Sequence, residues 1–450
     1  MQSVTINGIW SLAPNNHTSQ AKSCLGTPTG TQPRHTRSIK WGMSTFDIVI
    51  FGATSFVGKL VVKHFLDVHG VGGKVSWAIA GRSKSKMTAL RQSYGPAAEN
   101  VPILIADANS LTALKAMCLQ TKVVITMAGP YVLYGENLLR ACAETGTDYC
   151  DITGEVPWVA EMMKRYEEVA QQTGARIVNF CGFDSIPSDM GVHYLQREAQ
   201  RRFGKPCTKV RLRVFHARGN PPGGTYATAM DAIGEASRSK AYRAALADPY
   251  LLCPPNHGFK VKQNEAYFPA YDPDFKQWSA AFVMAGINTR VVHRSHALLG
   301  KPYGDSFRYE EAILVGPSLI GRIAAYTVTG LMVGFVGLAA MAPTRNLLKR
   351  FVLPKPGQGS KLRSLAQCSF DVRLTGETDH NEQIQIRLKG QGDPACFATS
   401  RMIAESGMCL ARDVAKTDKP GGFWTTSSLF GDKLINRLHM HGQMKFEVLT

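Results

Sequence analysis

Residues 46–82 read FDIVIFGATSFVGKLVVKHFLDVHGVGGKVSWAIAGR, and this stretch decides the fold of the chain. The apolar run Ile48–Phe51 ends at Gly52, and a helix-like pattern follows over about residues 56–69. A second apolar run, Val75–Ala80, then ends in Gly-Arg. Strand, glycine loop, helix and strand in this order are typical of the first βαβ unit of a dinucleotide-binding fold. The stretch therefore predicts a dinucleotide cofactor before any substrate is known.

The same alternation continues through the first two hundred residues. Apolar, strand-like runs are separated by stretches in which apolar residues recur at helical spacing. Strands that alternate with helices of about ten residues or more favour a parallel, doubly wound sheet. We therefore predict an α/β protein whose N-terminal domain, residues 44–203, is a Rossmann-type doubly wound sheet. Further strands are expected at Val101–Ala106, Val123–Met127, Asp148–Ile152 and Arg176–Phe180.

The pattern changes after residue 203. Three later segments alternate apolar residues with charged or polar ones, as strands with one solvated face do. These segments are Lys209–His216, Ser369–Leu374 and Gln383–Lys389. We predict a second, α+β domain with an antiparallel sheet over residues 204–412, followed by a C-terminal segment over residues 413–450.

Composition limits the classes of function. The chain has 450 residues, a formal net charge of +18, 44% apolar residues and 19% charged residues, which is typical of a globular protein with several domains. Its basic residues are scattered, which argues against nucleic-acid binding and favours an anionic membrane surface or a phosphorylated ligand. The ten cysteines show neither a CxxC pair nor the His/Cys spacing of a metal site. We predict reduced, intracellular thiols and no bound metal.

Residues 1–43 differ from the rest of the chain. They contain no Asp or Glu and are rich in Ser, Thr, Asn and Pro. Three interpretations stay open, namely a mitochondrial transit peptide, a disordered tail, or untranslated sequence before a start at Met43. The first interpretation predicts a mitochondrial protein, and the other two are compatible with a cytoplasmic or membrane-associated one.

Residues 323–344 carry no charge and lie between Arg322 and Arg345. A helix of this length can cross a bilayer. Its hydrophobicity is only moderate, because Gly, Ala and Thr are frequent in it. Three interpretations stay open, namely a membrane span, a contact with the surface of a membrane or lipid droplet, and a core helix of a soluble enzyme.

The loop after the first strand, GATSFVG, is the predicted binding site of the pyrophosphate. Gly52 permits a tight turn after the strand, Gly58 permits close packing of helix and sheet, and backbone N–H groups at the helix start can hold phosphate. The middle glycine of the full fingerprint is absent, and Ser55 occupies one such register. The predicted cofactor-binding residues of this loop are Gly52, Thr54, Ser55, Phe56, Val57 and Gly58.

The end of the second strand distinguishes between dinucleotides. Enzymes that prefer NAD usually place Asp or Glu there, to bind the ribose hydroxyls. Here Arg82 and Ser83 follow the strand, with Lys84 and Lys86 close behind. Cations suit the 2′-phosphate of NADP, so we predict that NADP(H) is favoured over NAD(H) and that Arg82, Ser83 and Lys86 contact it. The alternative is that these are solvated loop cations.

Later strand ends supply further candidates at the carboxyl edge of the predicted sheet. The residues assigned to the cofactor are Asp107, Ala128, Gly129 and Pro130. The residues considered as catalytic acid–base groups are Tyr131, Glu155 and Asp184. A structural role is open for each of these three, namely ring packing for Tyr131 and helix capping for the two carboxylates.

Several segments, in order along the chain, resemble the saccharopine dehydrogenase-like oxidoreductases, and among them the trans-acting enoyl reductase group. The likeness covers nearly everything after Met43. The segments are FGATSFVG (Phe51–Gly58), AGRS (Ala80–Ser83), AGPYVLYGE (Ala128–Glu136), DYCDITGE (Asp148–Glu155), CGFDSIPSD (Cys181–Asp189), INTRVVHRSHALLG (Ile287–Gly300), GDPACFATSRM (Gly392–Met402) and PGGFWTTSSLFG (Pro420–Gly431).

The resemblance implies an NADPH-dependent oxidoreductase that reduces an activated, enoyl-type double bond of an acyl or polyketide-like lipid precursor. We expect an intracellular protein that is attached to a membrane or lipid-droplet surface through residues 323–344. One alternative is a saccharopine-type amino-acid dehydrogenase, whose polyanionic substrate needs a cluster of Arg side chains. Another is a non-catalytic NADP-binding protein on lipid droplets or membranes. The sequence predicts no oligomeric state.

Overall fold

The structure, a computed structural model, describes residues 45–219, 223–353 and 362–450. The predicted extension 1–43 lies outside these residues. Within them, most strands belong to two seven-stranded sheets, sheet A and sheet B.

Sheet A is wholly parallel and contains the predicted Rossmann-type unit. Its strands are β1 (Phe46–Phe51), β2 (Trp77–Gly81), β3 (Ile103–Ile105), β4 (Thr121–Thr126), β5 (Asp148–Asp151), β6 (Arg176–Val178) and β13 (Gly422–Trp424). Their order is β3-β2-β1-β4-β5-β6-β13, so the direction of winding reverses between β1 and β4. A crevice is expected at the carboxyl ends of these two strands, where ligands of open α/β sheets bind.

Helices cover both faces of sheet A, and its central strand β1 is accordingly an almost continuous apolar run rather than an alternating one. Ile48, Val49 and Ile50 of β1 are all fully buried. The helices that connect these strands are α1 (Phe56–Val68), α2 (Lys84–Ser93), α3 (Leu111–Cys118), α4 (Tyr131–Tyr134), α5 (Glu136–Thr145), α6 (Val156–Thr173) and α7 (Ile186–Phe203), with a 3₁₀ turn at Gly95–Ala98.

Sheet B confirms the predicted second sheet and is mixed. Its strands are β7 (Lys209–Ala217), β8 (Ala270–Asp272), β9 (Gln277–Ala281), β10 (Arg308–Gly316), β11 (Ser369–Glu377), β12 (Gln383–Gln391) and β14 (Met444–Val448). The order is β14-β12-β11-β7-β10-β9-β8, and only β7 and β10 run parallel. The alternating segments of the sequence form β7 and the hairpin β11–β12.

The two faces of sheet B differ as the alternation predicts. Leu374 and Leu388 lie on the core side and pack against α7, where a Cβ on Gly191 would come within 3.2 Å of Leu374. The opposite side carries ion pairs, such as Arg387 with Asp371 at 2.7 Å. Helix α7 therefore connects the two sheets through their shared core.

The remaining helices surround sheet B and lead to the C-terminus. They are α8 (Gly223–Arg238), α9 (Lys240–Ala247), α10 (Ala285–Leu298), α11 (Ser318–Ala340), α12 (Ala342–Leu347), α13 (Leu362–Ala366), α14 (Thr399–Met408), α15 (Thr426–Phe430) and α16 (Asp432–Met440), with π-helical turns at Leu348–Val352, Pro394–Ala398 and Cys409–Asp413. Residues 413–450 contribute to both sheets, since β13 extends sheet A and β14 extends sheet B.

Of the described residues, one helix, α11, is long and apolar enough to cross a membrane. It packs on β9, β10 and α8 along one side only. Only 17% of its most apolar window is buried, so α11 is not a core helix.

Candidate functional site

The glycine loop closes tightly against the end of β4. Gly52 has a φ of +77°, and a Cβ at this position would lie 3.1 Å from the backbone nitrogen of Ala128. A Cβ on Gly58 would lie only 2.4 Å from the carbonyl oxygen of Gly52. Both glycines are therefore required by the path of the backbone, the first also by its left-handed conformation.

Ser55 caps α1 in place of the missing middle glycine. Its Oγ accepts the N–H of Gly58 at 3.0 Å. The N–H groups of Phe56 and Val57 belong to the first turn and have no acceptor among the described residues, so they are free to bind an anion. Thr54 is exposed beside them, whereas the side chain of Val57 is buried, so Val57 can offer only its backbone. The loop fits the pyrophosphate of a dinucleotide.

The end of β2 presents cations without partners. Arg82 and Lys86 are exposed, and neither side chain has an acidic partner in the described parts of the chain. Ser83 caps α2, with its Oγ 3.4 Å from the N–H of Lys86. At the end of β3, the carboxylate of Asp107 accepts the N–H of Asn109 at 2.9 Å and so shapes its own loop. Arg82 and Lys86 remain available to a phosphate.

Ala128, Gly129 and Pro130 line the end of β4, where Gly129 is exposed and its bond to Pro130 is cis. Tyr131 follows them and is buried, with its ring 5.7 Å from that of Trp158. Its hydroxyl donates to the carbonyl oxygen of Thr126 at 2.9 Å, and burial raises its pKa well above the usual value. Tyr131 therefore has a packing position and holds its proton.

Glu155 is a buried capping residue. Its two carboxylate oxygens accept the N–H groups of Tyr131 and Val132 at 2.8 and 2.7 Å. It also bonds to the hydroxyl of Thr228 on α8. Burial raises the pKa of Glu155, and the backbone N–H groups oppose this by stabilising the carboxylate. The side chain fastens α4 and α8 to the carboxyl edge of sheet A.

Asp184 differs from the other two candidates. It follows β6, is only partly buried, and has no hydrogen-bond partner among the described residues. Burial, with no compensating donor, raises its pKa to about 6. A carboxyl group of this kind can exchange a proton near neutral pH.

Asp184 is linked to the glycine loop through the π-helical turn at 394–398. The charge of Asp184 contributes, after burial and the interactions with Asp393, to raising the pKa of the Cys396 thiol. Cys396 clusters with Leu60 of α1, and Phe56 packs on the same cluster. This turn therefore lies between α1, on which it packs, and Asp184, whose charge acts on it.

Asp151, at the end of β5, is a fully buried carboxylate with four donors. It accepts from the Tyr149 hydroxyl, the Asn179 amide and the N–H groups of Thr153 and Phe180, at 2.7 to 3.1 Å. Burial raises its pKa to about 7 in spite of these donors. It joins the loops after β5 and β6.

The sequence did not identify the contribution of α10 to this edge. Asn288 accepts from the Ser185 hydroxyl at 3.0 Å and donates to Glu311 at 2.8 Å. Glu311 also accepts from the Tyr309 hydroxyl at 2.6 Å, and burial raises its pKa. The residues come from α7, α10 and β10, so no local pattern could have connected them. The only indication of this contribution in the sequence was the INTRVVH segment, residues 287–293, which is part of the family resemblance.

Two arginines of α10 are already engaged. Arg290 bonds to Glu265 and to the carbonyl oxygens of Leu246 and Asp248. Arg294 donates to the carbonyl oxygen of Phe423 at 2.6 Å. These side chains hold the fold together and do not form a free cationic cluster for a polyanionic amino acid. No group of three His, Cys, Asp or Glu side chains that could bind a metal occurs in residues 45–219, 223–353 and 362–450.

Comparison with known proteins identifies the family to which the chain belongs. Residues 48–178 match the saccharopine dehydrogenase NADP-binding domain. The trans-acting enoyl reductase of Mycobacterium tuberculosis is 36% identical over 411 residues, which cover 87% of this chain and 95% of the relative. That of Mycobacterium ulcerans is 36% identical over 413 residues, which cover 88% and 96%. The chain belongs to the trans-acting enoyl reductase family. It is an NADP(H)-binding oxidoreductase of the enoyl reductase type.

The fold of this trans-acting enoyl reductase family member is that of saccharopine dehydrogenase. The apo L-Glu-forming saccharopine dehydrogenase of Saccharomyces cerevisiae matches with a TM-score of 0.52 and 12% identity, over 90% of this chain and 100% of that enzyme. An identity this low shows the shared fold and nothing about the substrate. The predicted resemblance and fold class are confirmed, and the match to an NADP-binding domain supports binding of NADP(H).

Proposed function

We propose that the protein uses NADPH to reduce the activated double bond of an α,β-unsaturated acyl chain, of the kind found in fatty or polyketide-type lipid precursors. The observation that carries this proposal is Asp184. Of the three acid–base candidates, it alone is partly exposed and has no hydrogen-bond partner among the described residues, and burial raises its pKa to about 6. Tyr131 and Glu155 are occupied by structural hydrogen bonds.

The cofactor is held by residues that follow three strands, β1, β2 and β4. The free N–H groups of Phe56 and Val57 bind the pyrophosphate, and Gly129 borders the nicotinamide half. Bound at this edge, the nicotinamide supplies a hydride to the β-carbon of the acyl chain. Gly52 and Gly58 allow the backbone to approach closely enough for this arrangement.

Arg82 carries the preference for NADP(H) over NAD(H). Its guanidinium and the ammonium of Lys86 are exposed without an acidic partner in the described parts of the chain. A guanidinium binds a phosphate in bidentate fashion, whereas the ribose hydroxyls of NAD offer it no charge.

Asp184 supplies the proton. Hydride addition at the β-carbon shifts the electron pair of the double bond to the α-carbon and the thioester or ester carbonyl, as an enolate. Transfer of the Asp184 proton to the α-carbon then forms the saturated acyl chain, and solvent restores the proton of Asp184. A carboxyl pKa of about 6 suits this exchange.

We also infer an intracellular protein that works at a membrane or lipid-droplet surface. The inference is supported by the exposed apolar side chains of α11 and by the lack of any charged residue in residues 323–344. A lipid-like acyl substrate would be concentrated at such a surface.

The experiment that tests the proposed reaction uses the purified protein and a medium-chain trans-2-enoyl thioester. We expect oxidation of NADPH that depends on the thioester, with formation of the saturated product. Saccharopine and the pair of glutamate with an aldehyde serve as competing substrates. Oxidation or reduction of the cofactor with the amino-acid pair, and none with the enoyl thioester, would replace this proposal by a saccharopine-type activity.

A further inference from the structure

Helix α11 packs against the rest of the protein along a single narrow stripe of its surface. The stripe contains small side chains, of which Gly321, Ala325, Thr329 and Ala339 are buried. Their spacing follows one face of a helix. The other side of the helix, more than half of its circumference, has no cover in the described parts of the chain.

The uncovered side is apolar along its whole length. Ile320, Ile323 and Leu331 expose 78%, 60% and 69% of their surface. The apolar surface continues past the end of α11 into the next turns. Its other exposed members are Leu319, Tyr326, Val328, Val333, Val336, Leu338, Met341, Leu347, Phe351 and Val352. Soluble monomers rarely expose so long a continuous apolar surface.

Both ends of α11 are fastened to the same domain. At its start, Gly321 lies so close to Gly316 of β10 that a Cβ would be 2.0 Å from the Gly316 oxygen. After its end, Lys349 pairs with Asp231 of α8 at 2.6 Å. A spanning helix must place its ends on opposite sides of about 30 Å of hydrocarbon. A helix whose stripe packs on β9, β10 and α8 cannot do so without leaving the protein.

Cations with aromatic partners border the apolar surface. Arg322 lies over the ring of Trp278, with 5.4 Å between the guanidinium carbon and the ring centroid. Arg350 lies over Phe351 at 5.2 Å. Cations and aromatic rings beside an apolar helix face are the pattern of helices that lie in the headgroup region of anionic membranes. No acidic residue occurs between Arg322 and Arg350 to oppose this attraction.

We propose that α11 lies in the plane of one leaflet of an anionic lipid membrane, with its apolar side in the acyl region and Arg322 and Arg350 at the headgroups. A lipid phase can cover a convex helix from three sides, whereas a second copy of the chain would cover only part of it. The protein is thus a peripheral, one-leaflet enzyme and not a membrane-spanning one.

This orientation places the crevice at the lipid surface, a consequence that rests on the proposed function. Helix α8 packs on α11 with one side, and its Thr228 bonds to Glu155 at the edge of sheet A. Next to Glu155, Val132 and Leu133 of α4 expose 56% and 60% of their surface. These two side chains offer an acyl chain an apolar surface beside the crevice.

Vesicle flotation of the full-length protein tests the docking independently of catalysis. The probes are vesicles of phosphatidylcholine alone and of phosphatidylcholine with phosphatidylserine. Leu331→Glu places a charge on the exposed side of α11. Leu119→Glu is the matched control, because Leu119 is similarly exposed, at 61% against 69% for Leu331, but lies outside α11, before the amino end of β4. NADPH binding by both variants checks that each is folded.

We expect the wild-type protein to float with the phosphatidylserine vesicles and to be released from them by alkaline carbonate. Leu331→Glu should bind on the order of tenfold more weakly, since one buried leucine side chain is lost, whereas Leu119→Glu should bind as the wild type does. Three results would each overturn the proposal: no flotation of the wild type, equal loss in both variants, or resistance to carbonate. Dimerisation that Leu331→Glu abolishes, without flotation, would assign the surface to a second copy of the chain.

Discussion

The ends of β5 and β6 hold two aspartates whose surroundings differ sharply. Asp151 is fully buried and accepts hydrogen bonds from four donors. Asp184 is partly exposed and accepts none from the described residues. Burial raises both pKa values, to about 7 and about 6. The comparison teaches that a raised pKa alone does not identify a catalytic group. A catalytic acid must also hold its proton where a substrate can reach it.

The first prediction concerns Asp184, the aspartate without a hydrogen-bond partner among the described residues. Asp184→Asn should lower kcat for an enoyl thioester by about 10²–10⁴-fold, the range for loss of a general acid, and leave the dissociation constant of NADPH unchanged. Steady-state kinetics and nicotinamide fluorescence measure the two quantities.

The pH profile separates a proton donor from a structural residue. In the wild type, kcat should fall as pH rises above about 6, where Asp184 loses its proton. The residual activity of Asp184→Asn should lack this decline. An unchanged pH profile in the variant would show that another group supplies the proton.

The second prediction concerns Asp151, the aspartate that accepts hydrogen bonds from four donors. Asp151→Asn places an amide against the donors of Tyr149 and Asn179, and should lower the free energy of unfolding by about 2–3 kcal/mol. Urea denaturation measures it. Asp107→Asn, in a half-buried carboxylate with a backbone donor from Asn109, is the control and should cost less than about 1 kcal/mol. Equal effects of the two substitutions would mean that the network at β5 is not a structural unit.

The third prediction extends the comparison to cations. Arg82→Ala should weaken NADPH binding by about ten- to thirtyfold, as expected for one lost charge-assisted phosphate contact, and leave NADH binding unchanged. Arg165→Ala is the control, because Arg165 is exposed but paired with Glu161 at 2.7 Å. Equal loss for both nucleotides would contradict the assignment of Arg82 to the 2′-phosphate.

The smallest expected effect concerns stability. The pKa of Asp184 is higher in the folded protein than its usual value of 3.8, so the folded state binds this proton more tightly and loses stability as pH rises from about 4 to about 6. Asp184→Asn removes this loss and should be more stable than the wild type by about 1 kcal/mol at pH 7. Thermal unfolding at pH 4 and pH 7 checks this, since the difference should vanish at pH 4.

The parallel sheet was predictable because its signals are local. In each βα unit, the strand, the glycine and the helix cap lie within about thirty residues of one another, as they do in residues 46–82. The predicted cofactor residues rest on the same local order. The alternation of apolar and charged residues in β7, β11 and β12 likewise predicted a sheet with one solvated face.

The partners of the site were not predictable because they are distant in sequence. Asn288 meets Ser185, and Glu311 meets Asn288, only after α10 and β10 have packed beside α7. The three residues of β13 complete sheet A from residue 422 onward, more than 240 residues after β6. The hydrogen-bond partners that occupy Tyr131 and Glu155 become apparent only when neighbouring strand ends are brought side by side.

The most direct test of the proposed reaction follows the hydrogen atoms themselves. The protein is incubated with NADPH that carries deuterium at both C4 positions of the nicotinamide and a trans-2-enoyl thioester in ordinary water, and the product is analysed by mass spectrometry and NMR. We predict a saturated thioester with one deuterium at the β-carbon and a solvent-derived hydrogen at the α-carbon. A product without deuterium, or with deuterium at the α-carbon, would contradict hydride transfer to the activated double bond.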